Sequence, residues 1–510
     1  MEQLENAIEL KNVTKRFGKV IANDSVYLTV KKGEILSILG ENGSGKTTLM
    51  NMLSGIYFPD EGHILVEGKE VTIQSPKDAF DLGIGMIHQH FKLVDVLTAA
   101  ENIILGLPGK GALNMAQVEK DIKELTEKYG FDLNPAQKIY DMSVSQKQTV
   151  EIVKVLYRGA NLLILDEPTA VLTPQEADKL FAVLRNMKNA GKSIIIITHK
   201  LQEVLALSDR VTVLRKGKYI GTVETSEATV ESLTEMMVGG KVSLDIHRAD
   251  PVDPECRLKI EDATCVNHEG LKILNHVSFE ANSGEILGIA GIAGSGQKEL
   301  LEAIAGLQHI RSGKISYYPQ DGSTHTLSDM KASQIRNLGV HMSFVPEDRL
   351  GMGLVGKMDL TDNMMLRSYQ EGSNPFLDRE TPKNLAKEIV EKLDVVTPSI
   401  STPVGRLSGG NVQKVLVGRE IASDPEVLMV AYPVRGLDIN SSYTIYNLLN
   451  EQKEKGVALI CVIEDLDVIL ELCDRILVMN NGHITGIRDA RKTTKEEIGM
   501  LMTKNTEEEK

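Results

Sequence analysis

A glycine-rich segment near the N-terminus has the residue types of a loop that binds phosphate. It reads Gly40-Glu41-Asn42-Gly43-Ser44-Gly45-Lys46-Thr47-Thr48, after the apolar run Ile35–Leu39 and before residues 49–53, which have helical periodicity. A strand, a glycine loop and a helix place backbone N–H groups and a helix dipole around phosphate oxygens. Lys46 can reach the β- and γ-phosphates of a nucleotide, and the Thr47 hydroxyl can ligate Mg²⁺. The alternative, a turn with a chance lysine, does not explain the full pattern.

Polar residues follow three further apolar runs. Asp166 follows residues 162–165, so we expect it at the carboxyl end of a strand, where it can hold the Mg²⁺ shell. Glu167 can then polarise an attacking water, although an Asp-Glu pair before Pro168 could also simply cap a helix. Three more residues are candidates for the site. Gln89 could sense the γ-phosphate, water or metal, His199 could position the water, and Phe17 could stack on adenine. Taken alone, each would be an ordinary strand-end or packing residue.

Length and composition limit the class of protein. The chain has 510 residues, enough for two or more domains, with 42% hydrophobic and 25% charged residues, which is typical of globular proteins. A net charge of -14 disfavours nucleic acid as a partner. The four cysteines form no Cys-x-x-Cys pair, so neither a zinc site nor a disulfide framework is expected. We expect no signal peptide, and the apolar runs are too short for a bilayer span.

The second half of the chain repeats the first. Gly284 corresponds to Gly33 (284 − 33 = 251), and the same offset relates Gly291 to Gly40 and Gly296 to Gly45. This pattern indicates a tandem duplication of one domain. Clustered Gly, Asp and Pro mark the junction. We therefore predict a first domain over residues 1–240, a linker over 241–256, a second domain over 257–503 and a charged tail over 504–510.

The order of the first-half motifs resembles that of ATP-binding-cassette (ABC) ATPases: phosphate loop, Gln89, a Ser-rich segment before a helix, Asp166-Glu167-Pro168 and His199. The resemblance covers nearly the whole chain. It implies an α/β fold of two P-loop domains, each with a mostly parallel core sheet, an antiparallel β subdomain and an α-helical subdomain. It also implies ATP and Mg²⁺ as cofactors, and a head-to-tail pseudo-dimer. In such a dimer each ATP lies between the phosphate loop of one cassette and a Leu-Ser-Gly-Gly-Gln-like signature segment of the other.

The second half departs from this pattern at the reactive positions. Gln297 stands where the lysine belongs, Lys298 stands where the metal-binding hydroxyl belongs, and Glu464 replaces the histidine. Ala431 and Tyr432 replace both acidic residues. The loop glycines Gly291 and Gly296 remain, so the second half keeps the shape of a phosphate loop without its chemistry.

In the signature segments, it is the first half that departs from the family pattern. The second half has Leu407-Ser408-Gly409-Gly410-Asn411, nearly the full family segment. The first half has Met142-Ser143-Val144-Ser145-Gln146, in which both glycines are replaced. Crossing the halves therefore gives one site that keeps every working part and one that has lost parts from both sides. We predict one hydrolytic site and one degenerate site per chain, which rests on the head-to-tail geometry that the resemblance implies.

Two cassettes in one chain resemble the ATPase subunit of importers for sugars and nucleosides. Residues 87–93, 156–160 and 170–174 look most like the nucleoside branch, which works with basic-membrane-protein-type lipoprotein receptors. The resemblance implies two membrane permease subunits, expected to be non-identical because the halves differ after Gln89 and Glu347, and a place at the cytoplasmic face of the membrane. Ribose-like sugars and riboflavin remain alternative cargoes. The alternative of another class is a twin-cassette protein that acts on ribosomes. It is disfavoured because the junction here is short and the second site has lost its reactive residues.

Overall fold

The chain folds into two compact units, residues 1–243 and 244–510. The computed structural model describes residues 6–18, 20–88, 91–107, 114–170, 172–240, 246–267, 270–337, 342–369 and 377–504. Each unit has the predicted combination of a mostly parallel sheet, an antiparallel sheet and a helical region, so the expected fold of two tandem cassettes is confirmed.

Ten strands and eight α-helices make up the described part of the first unit. The strands are β1 Asn6–Phe17, β2 Val20–Lys31, β3 Ile35–Leu39, β4 Glu61–Val66, β5 Lys69–Val71, β6 Ile84–Ile87, β7 Leu162–Asp166, β8 Ser193–Thr198, β9 Arg210–Arg215 and β10 Lys218–Glu224. The helices are α1 Lys46–Leu53, α2 Pro76–Asp81, α3 Ala99–Ile104, α4 Met115–Tyr129, α5 Val144–Tyr157, α6 Pro174–Asn189, α7 Leu201–Leu207 and α8 Val230–Val238. Single 3₁₀ turns lie at Ile139–Asp141 and Thr225–Glu227.

The central sheet of the first unit has the strand order β10-β9-β3-β8-β7-β6. All of its neighbouring pairs are parallel except β9 with β10. Every residue of β3 and β8 is buried, because helices and the second sheet cover both faces and unbroken apolar runs suit such strands. The carboxyl ends of β3, β7 and β8 therefore meet at one edge of the sheet.

The second sheet of this unit is antiparallel, with the order β2-β1-β4-β5. Alternate residues such as Ile8 and Leu10 face inward, as expected for a sheet with one solvated face. They pack with Leu36 and Ile38 of β3 and with Leu49 of α1 into one core. The antiparallel sheet thus holds α1, and with it the phosphate loop, against the central sheet.

Helices α3, α4 and α5 form a separate small core. Its fully buried members include Ala99, Ile103, Ile122, Val150 and Val153. The buried side chain of Asn102 stabilises the entry to α3, because its amide oxygen accepts the Val94 N–H at 2.8 Å. This helical region carries the first signature segment at the start of α5.

The second unit repeats this layout. Its strands are β11 Cys256–Val266, β12 Lys272–Asn282, β13 Ile286–Gly291, β14 Ile310–Tyr317, β15 His325–Thr326, β16 Met342–Val345, β17 Val427–Ala431, β18 Ala458–Val462, β19 Arg475–Asn480 and β20 His483–Asp489. Its α-helices are α9 Gln297–Ile304, α10 Ala332–Asn337, α11 Leu360–Ser368, α12 Glu380–Lys392, α13 Gly409–Ile421, α14 Ile439–Glu454, α15 Leu466–Leu472 and α16 Lys495–Thr503. A π-helical turn spans Arg349–Gly353, and a 3₁₀ turn spans Val404–Arg406.

The sheets of the second unit correspond strand for strand to those of the first. The antiparallel sheet has the order β12-β11-β14-β15, and the central sheet has the order β16-β17-β18-β13-β19-β20. β13 and β18 pair in the register Ile289 to Val462, which matches Ile38 to Ile197 in the first unit. The duplication inferred from sequence offsets is therefore a duplication of structure.

The residues just before β11 pack on the second unit. Ile246 is buried in its core, and the Arg248 guanidinium donates to the Leu470 carbonyl at 3.0 Å. Lys453, whose ammonium lies 2.8 Å from the Asp474 carboxylate, also donates to the Ala249 carbonyl. Much of the predicted linker is thus held on this unit. In the described part of the chain, no helix is both long and apolar enough to cross a membrane.

Candidate active site

The phosphate loop connects β3 to α1 and leaves little space for side chains. At Gly40, a Cβ atom would lie 2.3 Å from the Leu214 carbonyl oxygen, so no larger residue fits there. Gly45 has φ 95°, a left-handed conformation that glycine adopts without strain, and it immediately precedes α1. These two glycines allow the close approach and the backbone bend that a phosphate-binding loop requires.

The side chain of Lys46 is folded into this loop. Its ammonium group donates to the Gly40 carbonyl at 2.6 Å and to the Glu41 carbonyl at 3.0 Å. Burial lowers the pKa of Lys46, and the nearby carboxylates of Glu167 and Asp166 oppose that shift. The lysine charge is therefore already desolvated and lies within electrostatic reach of both acids.

Two hydroxyl groups of the loop are available for a nucleotide. The Ser44 Oγ atom is buried and makes no hydrogen bond to the described protein atoms. Such an atom fits a phosphate oxygen as its missing partner. The Thr47 Oγ1 atom lies 3.4 Å from Asp166 Oδ2. A hydroxyl and a carboxylate are hard oxygen donors of the kind that Mg²⁺ takes alongside phosphate oxygens, so these residues fit the expected ATP and Mg²⁺.

The two acids at the end of β7 have opposite electrostatic environments. Burial, reinforced by the charge of Glu167, raises the pKa of Asp166 to about 6. The hydrogen bond with His199 lowers the pKa of Glu167 against the effect of its own burial. Glu167 is therefore ionised at neutral pH, whereas a nearby cation would stabilise the ionised form of Asp166. This division suits a base beside a metal ligand.

Glu167 sits on a strained turn that two contacts hold in place. Its φ angle is 47°, which is unusual for a residue other than glycine, and its N–H donates to the Ile197 carbonyl at 2.9 Å. His199 Nδ1 lies 2.9 Å from Glu167 Oε1. Strain of this kind persists where surrounding contacts determine the conformation, and here they aim the carboxylate out of the sheet edge.

The remaining first-half candidates lie around this centre. The ring of Phe17 is 43% exposed and meets Tyr57 edge to face, with 5.2 Å between ring centroids. The Lys15 ammonium lies over the same ring, 5.6 Å from its centroid, and the exposed part of the ring is accessible for the predicted stacking on adenine. Tyr57 belongs to no sequence motif and was not predicted, because only the fold brings it beside Phe17. Gln89 lies outside the described residues, so its predicted contact with metal or water stays a prediction.

In the second unit Gln297 imitates the lysine without its charge. Its amide nitrogen donates to the Ile292 carbonyl at 3.0 Å, the position that Glu41 occupies in the first unit (292 − 251 = 41). Lys298 does not replace the missing charge. Its ammonium lies 3.8 Å from Glu302, one turn along α9, and is half exposed. The loop between Gly291 and Gly296 keeps its shape while its cation is lost.

The strained turn of the first unit is also preserved, without its carboxylate. Tyr432 has φ 50°, and its N–H donates to the Val462 carbonyl at 3.0 Å, as Glu167 does to Ile197. Ala431 leaves no acidic ligand before it. Burial raises the pKa of Tyr432 to about 12, so its phenol stays protonated and cannot act as a base at neutral pH.

A guanidinium group links the remaining polar residues of this second centre. Arg435 stacks over the ring of Tyr432 at 5.5 Å, is paired with Glu347, and has its Nε atom 3.5 Å from Glu464. Glu347 and Glu464 hold the positions predicted for the glutamine and the histidine. Arg435 lies three residues beyond Tyr432, in a segment (residues 432–438) that resembles a second-half motif of the importer group, but no role at this centre was predicted for it.

The two signature segments begin helices of the same kind. Ser143 caps α5, where its Oγ accepts the Gln146 N–H at 3.3 Å and lies 3.0 Å from the Ser145 hydroxyl. Ser408 caps α13, and its Oγ also accepts from the Asn411 amide at 2.8 Å. The Gly409 position is exposed, whereas at Gly410 a Cβ would lie 3.0 Å from Ser441 Oγ. Only the second segment thus offers a side-chain-free helix start to a phosphate.

Gln148 is a further residue that the sequence analysis missed. This buried side chain on α5 donates to the Pro168 carbonyl at 2.7 Å, and so joins the signature helix to the turn that carries Glu167. Its counterpart on α13 is Gln413 (413 − 265 = 148), whose side-chain amide makes no hydrogen bond to a described atom. The two units therefore differ in how their signature helix contacts the reactive turn.

Comparison with known proteins matches both units to one family. The model of the ABC transporter family matches residues 23–170 and 274–433. The two matches fall one in each unit and include both phosphate loops and both strained turns.

Three curated relatives match almost the whole chain. The nucleoside import ATP-binding protein NupA of Lactococcus lactis is 44% identical, over 98% of this chain and 98% of its own. The guanosine import ATP-binding protein NupO of Bacillus subtilis is 40% identical, over 99% of each chain. The glucose import ATP-binding protein TsgD13 of Haloferax volcanii is 40% identical, over 98% of this chain and 96% of its own.

The loop positions Lys46 and Gln297 form a matched pair for testing the first centre. We expect Lys46→Gln to lower kcat/KM for ATP by about 10²–10³, because it removes the charge that faces the phosphates. Gln297→Lys should change ATP turnover per chain by less than about twofold, because Ala431 and Tyr432 still supply no carboxylate. Steady-state phosphate release from the purified chain measures both. Equal losses in the two variants, or a doubled turnover in Gln297→Lys, would contradict the assignment.

Proposed function

The chain belongs to the ABC transporter family, and we propose that it is the ATPase that energises an importer of nucleosides, with purine nucleosides favoured. The single observation that carries the proposal is the intact first centre, where Lys46, Asp166 and Glu167 lie together, in a chain whose full-length relatives include nucleoside and guanosine import ATPases. Relatives named for glucose and ribose import keep sugars as a second candidate cargo. The importer names among these relatives also weigh against the ribosome-acting alternative.

Each residue of the first centre has a role in hydrolysis that follows from its environment. The desolvated charge of Lys46 stabilises the charge that develops on the transferred phosphate. Thr47, Asp166 and, by resemblance, Gln89 would hold Mg²⁺, which when bound neutralises phosphate charge. Glu167 accepts a proton from the attacking water, and His199 keeps its carboxylate in place.

The hydrolytic site is completed by the other half of the chain. In our proposal, Ser408, Gly409, Gly410 and Asn411 present the start of α13 to the γ-phosphate of the ATP held by Lys46. Ser408 is exposed and caps a 13-residue helix, so its hydroxyl and the following N–H groups are accessible. The head-to-tail arrangement of the two units is taken from the family resemblance.

The other crossed site serves a structural or nucleotide-retaining role. It would combine Gln297, Tyr432 and Glu464 with the first signature segment around Ser143 and Ser145. The neutral amide of Gln297 and the protonated phenol of Tyr432 leave it without a lysine charge or a base. Such a site can hold the two units together without turning over ATP.

The importer also needs membrane partners, because this chain supplies the ATPase. We propose two permease subunits, a lipoprotein receptor that delivers cargo to them, and a position at the cytoplasmic face of the membrane. The resemblance places the permease contact at roughly residues 91–105 and at a counterpart after Glu347. Within these stretches we define two docking segments, residues 91–97 and 349–355, which expose apolar side chains. Val94 and Val96 are 41% and 66% exposed in the first segment, and Leu350 and Met352 are 43% and 46% exposed in the second. Their different side chains favour two non-identical permeases.

Gly409 and Val144 test the crossed geometry, because both are the first residue of a signature helix. An aspartate there stabilises the helix, so folding is not at issue, but it repels a γ-phosphate. We expect Gly409→Asp to reduce ATPase activity of the purified chain at least about tenfold, and Val144→Asp to leave it within about twofold. The opposite ranking would contradict the proposal that the first phosphate loop is completed by the signature segment of the second unit.

Uptake by the source cells tests the cargo. Glu167→Gln removes the base and should lower hydrolysis by about 10²–10⁴ and abolish uptake of labelled guanosine and adenosine. Tyr432→Phe, at the matching position of the second unit, should retain uptake. Labelled ribose, glucose and riboflavin are measured in parallel. Loss of only one of these would keep the importer and overturn the nucleoside cargo, while no change in any would reopen the ribosome-acting alternative.

A further inference from the structure

Each docking segment contains a backbone N–H that is bound in the same way, at Val94 in the first segment and at Val355 in the second. Asn102 accepts the Val94 N–H at 2.8 Å, and Asn363 accepts the Val355 N–H at 2.8 Å. The offset is the same for both partners, since 363 − 102 = 261 and 355 − 94 = 261. Lys92 therefore corresponds to Gly353 (353 − 92 = 261), although lysine has a long basic side chain and glycine has none.

The signature helices have an offset of their own. Ser143 and Ser408 cap α5 and α13, which gives 408 − 143 = 265. By this offset Lys154 corresponds to Arg419. The Lys154 ammonium donates to the Lys92 carbonyl at 3.4 Å, and the Arg419 guanidinium donates to the Gly353 carbonyl at 2.7 Å. In both units a cation eleven residues into the signature helix thus binds the same carbonyl of the docking segment.

The surroundings of the two cations differ. In the first unit Glu151 accepts the Lys92 N–H at 2.7 Å and lies 3.7 Å from the Lys154 ammonium. The backbone N–H and the backbone carbonyl of residue 92 are therefore both bound by side chains of α5. In the second unit Leu416 takes the Glu151 position (416 − 265 = 151).

The second cation shares a carboxylate with another arginine. Arg419 is buried, and its Nε atom donates to the adjacent Glu420 at 2.9 Å, while the same carboxylate accepts from Arg367 of α11 at 3.2 Å. Leu416 packs close to the backbone at Gly353, where a Cβ would meet its side chain at 2.8 Å. The contact to the carbonyl has thus been kept while the charge balance and packing around it changed.

We propose that Lys154 and Arg419 are positioning residues that couple each docking segment to the signature helix of its own unit. Movement of α5 or α13 then displaces residue 92 or 353, and with it the surface that contacts the permease. In the first unit Glu151 adds a second point of attachment. The role rests on the proposed function for its permease partner, but the bond itself is a property of the chain alone.

Three variants test the coupling in the first unit. Lys154→Met removes the donor, Lys154→Arg restores it, and Lys120→Met is a control on the exposed face of α4. ATPase activity is measured for the free chain and for the importer reconstituted with its permease subunits in vesicles. We expect Lys154→Met to keep the free-chain activity within about twofold while the permease-dependent change in activity falls at least fivefold. Lys154→Arg should recover most of that change, and Lys120→Met should behave as wild type.

Other outcomes overturn the proposal. An unaltered permease response in Lys154→Met, or an equal loss of activity in the free chain and the complex, would show that Lys154 has no coupling role. If the wild-type chain does not respond to the permeases at all, the proposed function fails instead. Hydrogen exchange in the free chain then decides the coupling. Mg-ATP should alter exchange over residues 91–97 in wild type and Lys154→Arg and leave it unaltered in Lys154→Met, and no difference among the variants would contradict it.

Discussion

The register between buried parallel strands is the constraint on which the first centre depends. Asp166 is paired with Ile197, and Leu39 with Thr198, so the residues that follow β3, β7 and β8 emerge at one edge of the sheet. A slip of one residue would turn every side chain to the opposite face. This register brings the phosphate loop, the acid pair and His199 together, although Lys46 lies 120 residues before Asp166 (166 − 46 = 120) and 153 residues before His199 (199 − 46 = 153).

The second unit shows that this scaffold and its chemistry are separable. Ala431 pairs with Val462 as Asp166 pairs with Ile197, and Tyr432 adopts the same strained turn as Glu167. Only the side chains differ, and Arg435 now joins the groups that surround the turn. The two centres therefore share their backbone geometry and differ in their charged groups. The desolvated lysine and the ionised carboxylate, to which our proposal assigns hydrolysis, are both found in the first unit.

The sequence predicts the parts of the molecule that local pattern controls. The apolar runs 35–39 and 162–165 predicted β3 and β7, the glycines predicted the phosphate loop, and constant offsets predicted the duplicated fold. Contacts between residues distant in sequence were missed, because only the packing of whole elements brings them together. Examples are Tyr57 beside Phe17, Gln148 on the Pro168 carbonyl, and Arg435 between Glu347 and Glu464. Gln89, which was predicted from its place after a strand, lies outside the described residues.

The central claim is that one of the two sites in each chain hydrolyses ATP, and the number of trapped products tests it most directly. The full chain is incubated with Mg²⁺, vanadate and a radiolabelled photoreactive ATP analogue, irradiated, and digested, and the labelled peptides are identified by mass spectrometry. The account predicts close to one trapped diphosphate per chain, with the label on peptides of the first phosphate loop or the Phe17 region. Two trapped diphosphates per chain, with equal labelling near Gln297, would contradict it.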